Sequence, residues 1–188
     1  DNMVMDNAGF LYVLGTTEYS PGIYHIVLIK MEPDSGDTLW TRYHATNVTI
    51  PQMSTSMCID ASNNIYTVSS GIKICKFNSS GTLLWSNSSV TGTIPYSNPN
   101  AHLAQTMALD ENNDVYVVGY QSGTSDDFLT VKYNGSNGST VWMKNFDYAS
   151  AQDRAHAVTT GKNGYVYVTG GNNWVSTIKY DLNGNLIW

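Results

Sequence analysis

Charge is scarce in this chain. Only 13% of its 188 residues are charged, about half the usual share for soluble domains. Nine basic residues stand against fifteen acidic ones, a net charge of −6, and no Lys/Arg cluster occurs. Binding a nucleic-acid backbone needs several convergent cations, so that class of partner is excluded. No apolar stretch approaches the roughly 18 residues of a membrane helix, which excludes helical membrane insertion. The sequence opens at Asp1 with neither a methionine nor an apolar leader, and no targeting signal can be read from that start. Motifs of catalysis are missing as well. There is no G-x-S-x-G elbow, no Gly-rich phosphate loop and no H-x-H or H-E-x-x-H metal spacing among His25, His44, His102 and His156.

What is present is aromatic and apolar. Hydrophobic residues make up 41% and aromatics 12%, with 13 tyrosines and 5 tryptophans, enough to fill a core. The surface is left to Asn, Ser, Thr, Gly and Tyr. Those residues fall into a repeat. An acidic or polar turn followed by a short strand occurs as MDNAGFLYVLG (5–15), IDASNNIYTVS (59–69), LDENNDVYVVG (109–119) and TGKNGYVYVTG (160–170). Tyr12, Tyr66, Tyr116 and Tyr167 align, about 50 residues apart. A Lys-aromatic strand then begins at Lys30, Lys76, Lys132 and Lys179, and each unit closes on a tryptophan: Trp40, Trp85, Trp142 and Trp188.

The segments are short, β-branched and aromatic, and bounded by Gly, Asn, Asp and Ser, which predicts strands and hairpin turns. In the second unit the predicted strands are 56–60, 64–69, 72–77 and 82–85. One four-stranded sheet of this size cannot bury both faces alone, whereas sheets stacked radially cover one another. The expected fold is therefore all-β: a β-propeller with four four-stranded blades, at about 1–40, 41–85, 86–142 and 143–188. Period-two alternation supports burial of both faces, with Cys75 and Phe77 on one side and Ile74 and Lys76 on the other. The recurring lysine has two readings. One is a solvated rim residue with its stem on apolar surface. The other pairs it with Asp6, Asp60 or Asp110, a partner replaced by Gly161 in the last unit. Cys58 and Cys75 lie on the first and third strands of one blade, about 9–10 Å apart, beyond the roughly 7 Å limit for a disulfide. Two free, buried thiols are expected.

The pattern D-x-x-G/N-x-(V/I)-Y-V-x-G, then a Lys-aromatic strand, then G-x-x-x-W resembles the SBBP-like beta-propeller repeat proteins. It also lies near NHL and pyrroloquinoline-quinone-type propeller repeats. The resemblance covers essentially the whole chain. It implies rings of six to eight blades, in proteins that are often secreted or surface-attached and that bind proteins or glycans or act as spacers. It carries over no catalytic residue, cofactor or metal. The four tryptophans match the outer-strand packing aromatic of such repeats.

Four whole units leave no spare strand to close a ring by exchange of the termini. The stop at Trp188 therefore favours a chain cut from a longer one or completed by a neighbour over a closed four-bladed monomer. Function is expected in the variable stretches. These are 86–105, together with TTEYSPGIYH (16–25) and YQSGTSDDF (120–128), read as rim loops. Tyr19, Tyr24, Tyr96 and Tyr120 are the candidate contacts for a sugar face or a peptide. His102 and His156 precede innermost strands and could face a central channel. The DENND run (110–114) reads as an Asx-capped turn. N-glycosylation triplets begin at Asn47, Asn78, Asn87, Asn134 and Asn137. The leading expectation is a secreted or cell-surface propeller with a structural or adhesive role and no catalysis, associating with itself or with further blades, within a filament or larger glycoprotein. The rivals are a glycan- or protein-binding receptor module and a partial propeller of a hydrolase or lyase.

Overall fold

The computed structural model describes residues 2–48, 56–69, 71–94, 105–147, 152–171 and 174–188, with backbone alone at 45–48. Every regular element among the described residues is a strand. The first sheet holds β1 (Asn2–Met5), β2 (Leu11–Ser20), β3 (Ile23–Met31) and β4 (Thr38–Val48). The second holds β5 (Ser56–Ile59), β6 (Ile65–Ser69), β7 (Lys73–Phe77) and β8 (Leu83–Asn87). The third holds β9 (Met107–Leu109), β10 (Val115–Ser122), β11 (Asp126–Tyr133) and β12 (Thr140–Phe146). The fourth holds β13 (Ala155–Thr160), β14 (Val166–Gly170) and β15 (Ser176–Tyr180). Its outer edge is completed by 186–188: Leu186 bridges Tyr180, and Ile187 and Trp188 exchange backbone hydrogen bonds with Lys179. Each sheet is an antiparallel meander in chain order, which is the predicted blade. The four first strands β1, β5, β9 and β13 adjoin in sequence at the centre of the array.

The turns explain why three of the four units carry an aspartate at their start. Asp6 Oδ1 accepts the Ala8 and Phe10 N–H groups at 2.9 and 3.0 Å. Asp60 and Asp110 do the same for Ser62 and Asn64, and for Asn112 and Asp114. These are Asx turns, which let a short loop satisfy its own donors. DENND is one of them, as the sequence predicts.

Burial follows the strand period. The sheet face that carries the repeat tyrosine is its front, and the opposite face its back. The front of the first sheet (Tyr12, Leu14, Ile26, Leu28) packs on the back of the second (Met57, Ile65, Cys75, Phe77). The front of the second (Tyr66, Val68, Ile72, Ile74) meets the back of the third (Met107, Val117, Val131, Tyr133). The front of the third (Tyr116, Val118, Phe128) meets the back of the fourth (Val158, Val168, Ile178, Tyr180). Four sheets thus make three cores. At roughly 25 cal/mol per Å² of apolar surface removed from water, these junctions are where the array gains its stability.

The stretches 16–25 and 120–128 are not loops. They extend β2–β3 and β10–β11 as paired hairpins, from Thr16↔Ile26 to Ser20↔Ile23 and from Tyr120↔Phe128 to Ser122↔Asp126. Their turns are tight, with Gly22 at φ +76°, so the chain reverses within a few residues and the intervening Thr and Tyr remain free to pair. Both cysteines are free, as expected. Cys75 is buried but Cys58 only half so, because Cys58 sits on a front face near the blade centre, where its thiol reaches the Met107 carbonyl at 3.4 Å.

Candidate functional site

Each of the first three blades contains the same four-residue unit. Tyr12, Tyr66 and Tyr116 donate their hydroxyls to Asp6, Asp60 and Asp110 at 3.1, 3.1 and 3.2 Å. Lys30, Lys76 and Lys132 lie 3.6, 3.9 and 3.5 Å from the same carboxylates and over the tyrosine rings. Trp40, Trp85 and Trp142 pack on those rings at centroid distances of 5.9, 6.0 and 5.8 Å. The lysine is therefore paired with the aspartate, and the solvated-rim reading is wrong: the neighbouring sheet covers it, and Lys76 Nζ donates to the Gly135 carbonyl of the next blade at 2.9 Å. Lys132 gains a second partner, Asp114, at 2.9 Å. Burial alone would lower the Lys132 ammonium, but Tyr116 and Asp114 carry it above the ordinary lysine range. Lys76 lacks that second acid, and burial pulls it down against the attraction of Asp60. Burial and the nearby Asp110 push the Tyr116 phenol up to about 12, against the opposing pull of Lys132.

In the fourth blade Gly161 removes the carboxylate, and Lys179 lies instead 3.8 Å from the centre of the Tyr165 ring. Tyr167 and Trp188 still pair at 6.4 Å, but Trp188 is exposed.

The outer edge presents a feature that sequence reasoning missed. Between the lysine and the tryptophan each outer strand carries one extra residue. Lys30 pairs Trp40 while Met31 pairs Thr38, and the same shift occurs at Lys76/Phe77 and Lys132/Tyr133. The extra residue is Leu39, Leu84 or Val141. A bulge re-aims the side chain it displaces, and these aliphatics, with Ile187 at the same position of the fourth blade, are between 49% and 51% exposed. The available signal was an apolar residue immediately before each of the four repeat tryptophans. β4, β8 and β12 end their sheets, so the aliphatics lie along the array's outer perimeter.

Among the described residues the proposed contact tyrosines do not converge. Tyr19 is exposed at a hairpin tip and stacks on His25 at 4.4 Å and 10°. Tyr24, on β3, is half-buried against the first core. Tyr120 lies under the Arg154 guanidinium at 4.6 Å, and Arg154 in turn pairs with Asp126 at 2.6 Å. Tyr96 and His102 lie outside the described residues. His156 is inside β13, exposed, with Nε2 3.3 Å from the Gly171 carbonyl.

The glycosylation triplets serve turns. Asn78 Oδ1 accepts from Ser80 and Thr82, Asn134 Oδ1 from Ser136 and Asn137, and Asn137 Oδ1 from Ser139. Asn87 also donates Nδ2 to the Gly138 carbonyl at 2.7 Å. For Asn47 only its place in β4 is described.

This architecture is shared with solved structures at low identity. A Bacteroides caccae protein of unknown function superposes at TM-score 0.56 and 13% identity, over 95% of this chain and 56% of that one. BamB from Moraxella catarrhalis gives 0.55 and 12%, over 99% and 60%. Quinohemoprotein alcohol dehydrogenase from Comamonas testosteroni gives 0.59 and 11%, over 89% and 33%. The chain thus spans between one third and three fifths of these relatives. Propellers of this shape include both enzymes and non-enzymes. No curated protein matches its sequence. One family matches residues 11–152, the larger part of the chain, under the description outer membrane protein assembly factor BamB. The SBBP-like and NHL-like resemblance is corrected accordingly: the chain belongs to this BamB-type family of pyrroloquinoline-quinone-like β-propeller repeats.

Proposed function

We propose that this chain is a non-catalytic, protein-binding propeller segment of the cell envelope, a scaffold that holds a partner against its outer perimeter. The observation that carries the reading is the row of bulge aliphatics, Leu39, Leu84, Val141 and Ile187, each about half exposed at the same position of its blade. Apolar side chains repeated at one exposed position suit contact with another protein better than contact with water. The BamB description of the family points toward amphipathic strands as the partner chemistry. The ionisable groups support the non-catalytic part. The Asp, Tyr and Lys side chains of three blades are engaged in one another, and burial pushes the Cys58 and Cys75 thiols up to about 12 and about 11, away from nucleophilic use.

The test is fluorescence anisotropy with a labelled ten-residue peptide of alternating leucine and threonine. Binding is expected, and Leu84→Asp with Val141→Asp should weaken it about ten-fold or more. A peptide that binds equally well to the double variant would sink the perimeter as the contact surface.

A further inference from the structure

The three internal junctions share one locking device. The G-x-x-x-W turn of each blade places its glycine under the tryptophan of the blade before. A Cβ built on Gly81, Gly138 or Gly184 would stand 3.2, 2.5 or 2.8 Å from the rings of Trp40, Trp85 and Trp142. Indole N–H groups add hydrogen bonds across two of the junctions, Trp85 to the Gly135 carbonyl at 3.2 Å and Trp142 to the Leu182 carbonyl at 3.0 Å. Two halves of the device are unmatched. Gly36, the corresponding glycine of the first blade, has nothing within 4 Å of its Cβ position. Trp188, the corresponding tryptophan of the fourth, is 58% exposed.

The sheet faces around these two residues are unmatched in the same sense. On the back of the first sheet Met3 occupies the position of Met57, Met107 and Val158, all 5% exposed or less, yet is itself 62% exposed. Met5 beside it is 58% exposed, and Val13 and Ile29 continue the apolar face. On the front of the fourth sheet Val175 occupies the position of Ile26, Ile72 and Phe128, also 5% exposed or less, yet is 88% exposed. This front holds a hollow of about 330 Å³ lined by Ala157, Thr159, Tyr167, Thr169 and Thr177. In the first junction the equivalent space takes Met57 and its neighbours.

We propose that a second copy of this chain docks head to tail. The back of its first sheet covers the front of the fourth sheet, Trp188 seats on its Gly36, and Met3 and Met5 enter the threonine-lined hollow. Methionine is suited to filling such an irregular space. One chain supplies both complementary surfaces, and each repeats an interface built three times within the molecule. The contact is heterologous, so it must close or propagate. Two copies of these 188 residues bring eight blades, within the four to eight of ordinary propellers, and three would exceed it. The closed form is therefore a dimer, with two such junctions related by a twofold axis. The threonines replace Val4, Leu14 and Leu28 of the first blade, so the junction is weaker than the internal ones and the dimer dissociates on dilution. Thr130, at the position of Thr177, is fully buried in the third junction, which shows that a threonine there is compatible with closure.

The experiment is sedimentation velocity of the 188-residue chain from 1 to 100 µM. The expected result is a concentration-dependent rise to twice the chain mass. Trp188→Ser, and separately Met3→Lys with Met5→Lys, should each weaken dimerisation at least ten-fold. These sites are exposed, and an unchanged circular dichroism spectrum verifies the fold. Mixing the two variants should restore dimers, because the mixed pair contains one junction with neither substitution. A chain that stays monomeric to 100 µM overturns the proposal. So does a dimer indifferent to Trp188, or variants whose mixture fails to associate, since both describe a symmetric contact rather than a head-to-tail one.

Discussion

Trp142 lies so close over Gly184 that a single methyl group on the glycine would come within 2.8 Å of the indole. The glycine is also held at φ +76°, a left-handed conformation that costs an L side chain roughly 1 kcal/mol or more. Two requirements, one of backbone and one of space, thus coincide in the residue that joins one blade to the next. They can be separated, because Gly36 has the same backbone (φ +73°) without the ring above it.

Gly138→Ala is accordingly expected to cost about 2–3 kcal/mol, from the left-handed backbone and the overlap with Trp85 together. Gly36→Ala should cost only the backbone share, about 1 kcal/mol. Urea unfolding of protein dilute enough to be monomeric measures both. Equal losses would mean that the tryptophan yields freely and that the junction is not locked by it.

Lys132 offers a similar contrast with Lys179. Lys132 is buried between Asp110 at 3.5 Å and Asp114 at 2.9 Å, so Lys132→Met strands two carboxylates under the next blade. Removing one partner of a buried pair costs about 3–5 kcal/mol. Lys179 faces Gly161 where the other blades have an aspartate, and no ion pair joins it among the described residues. Lys179→Met should therefore cost no more than about 1 kcal/mol, the scale of its contact with the Tyr165 ring. A drop in urea midpoint for Lys132→Met no larger than that for Lys179→Met would show that the Asp–Lys pair contributes little.

Much of this architecture was readable from the sequence. The blade pattern is local: Asp, Tyr, Lys, Gly and Trp recur at fixed spacing, and each does its work within one sheet or against the adjacent one. Residues 16–25 and 120–128 misled because Pro21, Gly22 and Gly123 look like loop, whereas pairing depends on the alternation flanking them. The bulge aliphatics were hidden by a one-residue slip between Lys and Trp that no alternation count reveals. The cross-blade partners, such as Lys76 with Gly135, join residues with no local relation, and only the packing of one sheet on the next brings them together.

Acid and alkali should each loosen the blade turns, for opposite reasons. Burial would raise the Asp60 carboxyl, but hydrogen bonds from Asn64, Ser62 and Tyr66 hold it below its ordinary 3.8. A depressed carboxylate contributes stability that is present above pH 3.8 and lost as the pH falls through its lower folded value. The Tyr116 phenol moves the other way, from 10.0 to about 12, chiefly through burial. Its contribution is complete below pH 10 and is lost as the pH rises toward 12. The Asp60 and Tyr116 contributions to the urea midpoint should therefore be lost below about pH 4 and above about pH 10 respectively. Asp60→Asn should flatten part of the acid limb, and an unchanged limb would remove Asp60 from the account.

Cys75 and His44 make a contact that resembles a nucleophile and its base, with Sγ 3.2 Å from Nε2. Its surroundings point to a structural role. Burial raises the Cys75 thiol to about 11, only partly offset by Lys73. Burial, with Lys73 and His25, lowers the His44 imidazole below its ordinary 6.5. Both partners therefore stay neutral at pH 7.5, and thiol and ring share one hydrogen bond across the first junction, its direction set by the imidazole tautomer. A thiol held protonated and 2% exposed is a poor nucleophile. Iodoacetamide at pH 7.5 should leave Cys75 unlabelled for hours in the folded protein and label it promptly in urea, as peptide mass mapping would show. The same neutrality predicts an acid effect distinct from that of Asp60. A lowered imidazole contributes stability that is present above pH 6.5 and lost as the pH falls through its folded value. The decline should thus begin below about pH 6.5, and His44→Gln, which keeps a polar partner for the thiol but cannot titrate, should delay it to the carboxylate range. Rapid labelling of folded protein, or a decline unaffected by that substitution, would show that the pair is ionised and that the contact does more than join two blades.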